Sequence, residues 1–258
     1  MYKLKNKLIS FIINIGLKFM SHDTIITSMV LNCSPSKISE FVIMPVVKFV
    51  IKKFKSQLGN LKTYGLTYRG KYDSKTISIV PTTMGAPAAA AVMEALNNTK
   101  AKYIFKVDYC GGLTQDIKLG DIIVADSAIC GDGTSPHYDS NANIIEADAE
   151  LLEKLTSFFD DNKIKYHKGP IYTTDAIFRE TEELLNKARS MNAIGIDMET
   201  SILYLLGKIF NKKVISVNVV SDKPSPDKKF DVSLNSRVFD NTDMLVKLIL
   251  DFIKDFEK

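Results

Sequence analysis

Two carboxylates sit where strand-like runs stop. Glu199 lies in the segment GIDMET (195–200), and Asp222 closes VVSD (219–222). An acid beside a methionine after a hydrophobic run is costly to place unless it meets a ligand. At a helix start it also meets a favourable field, so Glu199 carries both readings. Asp222 follows an apolar run. It donates a proton at neutral pH only if burial lifts its pKa from ~3.9. It also suits a turn, here before Lys223-Pro224. Two further segments join a strand-like run to small or polar residues: TTMGAP (82–87) and KVDYCGGL (106–113). The chemistry open to such a set is proton donation by a buried acid and hydrogen bonding to a polar ligand by a carboxylate.

Other reactions lack their motifs. There is no phosphate-binding P-loop, no GxGxxG, no HExxH and no GxSxG in the chain, which argues against ATP-driven chemistry, dinucleotide binding, zincin-type hydrolysis and serine hydrolysis. Cys33, Cys110 and Cys130 form no CxxC pair and no Cys/His cluster, so no metal site is expected. They read as three reduced thiols of a cytoplasmic protein. Of three histidines, His137 reads as a surface or interface residue and His167 as structural.

The elements that position these segments alternate. Strands are expected over 76–81, 103–107, 121–125 and 214–220, and helices over 86–96, 149–162, 180–191, 200–210 and 242–256. The run VISVNVV (214–220) is nearly all apolar, as in a strand covered on both faces. Strands alternating with crossover helices imply an α/β fold with a central mixed sheet, partly barrel-like and flanked by helices. In such sheets ligands bind beyond the carboxyl ends of the strands, where the four segments fall.

The 258 residues suit one large α/β domain with a true core, at 45% apolar and 25% charged. A net charge of +4 with acids interspersed calls for no nucleic-acid partner. Residues 1–25 are expected to form an amphipathic helical extension and 26–258 the domain. Leu4, Leu8, Phe11, Ile12 and Ile15 share one helical face, with reversible membrane-surface contact as the lesser reading. The basic-apolar stretch 41–55 is too short and too charged to span a bilayer.

Taken in order, Met84-Gly85-Ala86-Pro87, Cys110-Gly111-Gly112, Ile196-Asp197-Met198-Glu199 and Val220-Ser221-Asp222 resemble the purine/uridine phosphorylase superfamily. The resemblance runs from about Met29 to the C-terminus, and GDGTSPHY (131–138) and TTDAIFRET (173–181) look like one microbial branch of it. It implies cleavage of the N-glycosidic bond of a nucleoside with inorganic phosphate as co-substrate, no other cofactor, and a homo-oligomer built from dimers, with a hexamer as one form. It assigns Glu199, Met198 and Met84 to the ribose. Asp222 is assigned to the purine, with Arg237 as its basic assistant. Cys110, Gly111, Ile177, Phe178 and Ile196 go to the base. Arg179 falls at the pocket mouth or pairs with Glu182 or Glu183, and His22 is the one candidate for a histidine lent to a neighbouring subunit's ribose.

The resemblance assigns phosphate to Lys37, Lys106, Tyr109 and Cys33. Lys37 and Lys106 stand where the family has arginines, and Asp108 stands where it has glycine. A third family arginine would fall near Lys62 or Thr63. Lysine binds phosphate as a point charge without the bidentate fork. No Gln-x-Arg pair of the uridine-specific members is present, which favours a purine. The alternatives implied are a uridine phosphorylase, a phosphate-independent nucleosidase and a catalytically impaired nucleoside-binding paralogue.

Overall fold

The computed structural model describes residues 20–224 and 235–256, together with 5–7, 10, 11, 16 and 18. Of the apolar face expected near the N-terminus, Phe11 alone falls among these residues, and it is exposed; Leu4, Leu8, Ile12 and Ile15 lie outside them. Helix α1 (His22–Leu31) crosses the boundary expected at residue 25. It is tied to the body by the Thr27 hydroxyl, which donates to the Ala95 carbonyl at 2.9 Å.

One ten-stranded sheet organises the chain. Its parallel centre is β1 (Phe41–Met44), β4 (Lys75–Ile79) and β5 (Tyr103–Gly112), with β1 between the other two. The antiparallel hairpin strands β2 (Gly59–Tyr64) and β3 (Thr67–Tyr72) extend it beyond β4. On the other side β5 pairs with β10 (Lys213–Asp222), which also pairs with β6 (Ile122–Gly131). Strand β6 pairs with β8 (His167–Thr174), β8 with β9 (Gly195–Asp197), and β9 returns to β5. Those five strands therefore close on themselves, giving a mixed sheet with a barrel at one end. Short β7 (Ile144–Glu146) hangs on β6.

Helices cover the outside: α2 (Lys48–Gln57), α3 (Ala86–Asn97), short α4 (Ser135–Tyr138), α5 (Ala149–Asp161), α6 (Glu182–Ser190), α7 (Thr200–Ile209) and α8 (Ser236–Asp255). Their starts follow capping chemistry. Asp148 accepts from Leu151 N, Thr181 from Leu184 N, and Asn235 from Val238 N. The Asn235 cap starts α8 six residues before the expected 242. Residues 214–220 are all buried, as the apolar run implies.

Two expected boundaries move because of pairing. Cys110-Gly111-Gly112 continues β5 instead of ending it, since Gly111 and Gly112 pair with Ile196 and Gly195 of β9. Strand β6 runs on to Gly131 because β8 supplies a partner along its whole length.

Candidate active site

Strand register brings the separate segments together. Val220 of β10 lies opposite Cys110 of β5, and Asp222 lies opposite Gly111 after a bulge. Gly111 in turn faces Ile196 of β9. Glycine is required at 111, because a Cβ there would stand 2.8 Å from Pro224 Cγ and 2.9 Å from Ile196 Cγ2. The carboxyl ends of β5, β9 and β10 thus border one cavity of about 280 Å³, of the size class of small-ligand sites.

Nine of the residues singled out from the sequence line this cavity: Met84, Tyr109, Cys110, Gly111, Ile177, Ile196, Met198, Glu199 and Asp222. Glu199 precedes α7 and is 4% exposed. Its Oε1 accepts from Gly85 N at 2.9 Å, and Gly85 can present that N–H from φ 105° because it lacks a Cβ. Lys106 Nζ stands 3.7 Å from Oε2. Burial raises the Glu199 carboxyl to about 7, against the lowering pull of Lys106 and of the Gly85 N–H.

Asp222 accepts from its neighbour's Ser221 hydroxyl at 2.7 Å, and burial raises its pKa above the usual carboxyl range. Glu180, just ahead of α6, lines the same cavity. Its carboxyl is pushed up to about 7, first by burial and then by the charge of Asp222. Two acids that repel each other in a partly dry pocket are poised to hold or give a proton. Sequence reasoning missed Glu180, one of three acids in the run 180–183, where Thr181 as a helix cap makes a solvated helix start the plain reading.

Beneath the cavity lies an ion network. Lys106 is wholly buried, and its Nζ donates to Asp197 Oδ2 and Asn218 Oδ1, each at 2.7 Å. Asp197 also accepts from the Thr173 hydroxyl at 2.8 Å and from Thr200 N, capping α7. Burial alone would lower the Lys106 pKa, but Asp197 and Glu199 outweigh it and hold the ammonium charged.

The structure corrects several expected positions. Lys106 is not placed as a phosphate ligand, because its ammonium holds Asp197 and Asn218 under the cavity floor. Lys37 ends a single turn, Pro35–Lys37, with its ammonium 5.2 Å from the Tyr64 ring centre and away from the cavity lining. Cys33 is also outside it, its sulfur accepting from the Thr67 hydroxyl at 3.8 Å. Arg237 does not assist Asp222. Its guanidinium pairs with Asp121 and donates to the Leu119 carbonyl at 3.2 Å, fastening α8 to the turn before β6. Phe178 is 79% exposed and is not part of the lining, where its neighbour Ile177 stands instead. His167, expected to be structural, bonds Asp121 at 3.0 Å and ties the start of β8 to the same turn.

No Lys, Arg or His lines the cavity among the described residues, whereas Asp108, Glu180, Asp197, Glu199 and Asp222 do. Nor do those residues form a cluster of metal-ligating side chains.

Known proteins share this architecture. The sequence is 31% identical over 137 residues to a guanosine phosphorylase of Halorubrum lacusprofundi, a match covering 53% of this chain and 57% of that protein. It is 29% identical over 209 residues to a DeoD-type purine nucleoside phosphorylase of Buchnera aphidicola from Acyrthosiphon pisum, covering 74% of this chain and 86% of that protein. The crystal structure of uridine phosphorylase from Vibrio fischeri ES114 superposes with a TM-score of 0.77 at 23% identity, covering 86% of this chain and 95% of that one. At that identity the superposition speaks for the fold. The sequence model of the phosphorylase superfamily matches residues 44–253, a span holding every strand after β1 and every cavity-lining residue described above, and the chain belongs to that superfamily.

Proposed function

We propose that this protein is a nucleoside phosphorylase that cleaves the N-glycosidic bond of a purine nucleoside. The observation that carries the reading is one cavity in which a buried glutamate, Glu199, shares the lining with Asp222 and Glu180, two neighbouring acids whose carboxyls burial pushes above their ordinary values. The guanosine and purine nucleoside phosphorylases among its relatives support it.

In this reading Glu199 accepts hydrogen bonds from the two vicinal ribose hydroxyls, and Met84 and Met198 pack on the sugar. C1′ gains oxocarbenium character as its bond to the base nitrogen breaks, and the bonding pair leaves with the base. Asp222, with Glu180 beside it, supplies the proton or hydrogen bond that the departing purine needs. A purine ring offers N7 to such a donor and a pyrimidine has no counterpart, which favours purine. Phosphate captures C1′ to give pentose 1-phosphate, and no organic cofactor takes part.

The reading includes a homo-oligomer built from dimers, supported by exposed Met29, Leu66 and Met84. It also places the protein in the cytoplasm, as its three free thiols suit a reducing compartment. No helix among the described residues is long and apolar enough to cross a membrane.

The test is chromatographic detection of free base from inosine, adenosine, guanosine, methylthioadenosine and uridine, each with phosphate. Purine release with no uracil release is expected. Uracil release in preference to the purines would refute the assignment of Asp222 and Glu180 to a purine.

A further inference from the structure

Five acids line the cavity, and four of them already meet a donor from the protein. Asp108 accepts from Val46 N, Val47 N and Tyr109 N. Asp197 accepts from Lys106 Nζ and the Thr173 hydroxyl, Glu199 from Gly85 N, and Asp222 from the Ser221 hydroxyl. The fifth, Glu180, is half-buried and takes no hydrogen bond and no ion pair among the described residues. It ends the turn Ile177–Arg179 that follows β8. A carboxyl placed there without a donor is costly unless it keeps its proton or meets a ligand.

The charges of the lining divide between two ends. Asp108, Asp197 and Glu199 gather about the buried Lys106 ammonium, on the side given to the sugar. Asp222 and Glu180 form the other end, and of the lining charges Asp222 is the one that acts on Glu180. Beside them, Lys223 is taken up by the Thr114 and Ile117 carbonyls, and Arg179, Glu182 and Glu183 on the segment of Glu180 are exposed to solvent. On a purine, N7 and the 6-substituent stand side by side on one edge of the ring. With Asp222 at N7, the carboxyl next to it meets the 6-substituent.

We propose that Glu180 reads the 6-position of the base and makes the site prefer 6-oxopurine over 6-aminopurine nucleosides. As the glycosidic bond breaks, the bonding pair enters the ring and negative charge builds at N7 and at O6. A protonated carboxyl donates its O–H to O6, where that charge develops. A 6-amino group presents N–H donors instead and leaves the O–H unpaired. Burial and the charge of Asp222 keep the proton on Glu180 up to about 7. Above that, the carboxylate repels O6 and accepts from a 6-amino group, so the preference weakens as pH rises. The assignment rests on the purine reading of the proposed function and adds which purines are taken and which residue selects them.

The experiment measures kcat/KM for inosine and for adenosine from pH 6 to pH 8, with phosphate in excess. The ratio of the two is read, because a proton that both reactions need, such as that of Asp222, cancels in it. In the unaltered protein the ratio is expected to favour inosine at pH 6 and to fall about tenfold by pH 8, following the protonated fraction of Glu180. In Glu180→Gln, whose amide does not titrate, it is expected to hold within about twofold over that range. A ratio that is flat in the unaltered protein, or that falls equally in Glu180→Gln, overturns the assignment. So does a preference for adenosine at pH 6. Glu180→Ala decides where Glu180→Gln fails to fold: at pH 6 it is expected to lose about tenfold more kcat/KM on inosine than on adenosine, and equal losses overturn the assignment. Release of no base from either nucleoside by the unaltered protein overturns the purine reading itself.

Discussion

Glu180 and Asp222 show how one residue's environment decides its chemistry. An exposed glutamate is ionised above ~4.3, but Glu180 keeps its proton to about 7, because burial and the neighbouring Asp222 disfavour the anion. If the pair donates to the departing purine, kcat/KM falls as pH rises through about 7, and Glu180→Gln removes that limb from the profile. A limb that persists in the variant would assign the titration elsewhere. The same group costs stability. Between ~4.3 and about 7 the folded chain holds a proton that the unfolded chain has released, so stability declines as pH rises across that window. Glu180→Gln should therefore raise the melting temperature at pH 8 and leave it nearly unchanged at pH 4. Asp222→Asn keeps the shape but cannot supply the proton, and a loss of ~10²-fold or more in purine kcat/KM is expected. Near-normal turnover would exclude Asp222 from the step.

At the scale of elements, β5 does most of the positioning. Alternate residues along it enter different environments: Lys106 goes under the floor to Asp197 and Asn218, and Asp108 goes to the start of α2. Removing Lys106 leaves Asp197 and Glu199 as buried acids without their cation. Lys106→Met is expected to cost about 3–5 kcal/mol in urea unfolding, and an unchanged midpoint would contradict the network. Gly111 is where β5 must pass closest to β9 and Pro224. Gly111→Ala forces a Cβ into that contact, with an expected cost of about 1–3 kcal/mol and a raised KM. The hairpin β2–β3 was not foreseen, because its strands alternate poorly. Residues 59–64 are exposed at four of six positions, so no apolar stripe marks them.

For the whole molecule, the closed set β5, β10, β6, β8 and β9 makes a rigid frame with the cavity at its rim. The proposed dimer is tested by sedimentation equilibrium, where a mass of at least twice 28.8 kDa is expected and a monomer at working concentration would refute it. The alternation of strands and helices was legible because apolar periodicity reports burial directly. So was much of the cavity lining, since Glu199, Met198, Cys110, Gly111 and Asp222 fall at or just beyond the ends of buried strands. The partners of the charged residues near the cavity were not legible. The loop after β1 reads as plain Pro45-Val46-Val47, yet the Val46 and Val47 amides are what hold the Asp108 carboxylate.

By itself the sequence determined the fold class, the alternation of its strongly patterned strands and helices and the acids at strand ends, because each follows from local pattern and from burial along one strand. Tertiary structure alone decided what three charged side chains face. Lys106 meets Asn218 112 residues away, Asp108 meets Val46 62 residues back, and Arg237 meets Asp121 116 residues back. A side chain's charge is written in its own residue, but whether that charge is spent inside the protein or offered to a ligand depends on partners that only the folded chain brings within hydrogen-bond distance.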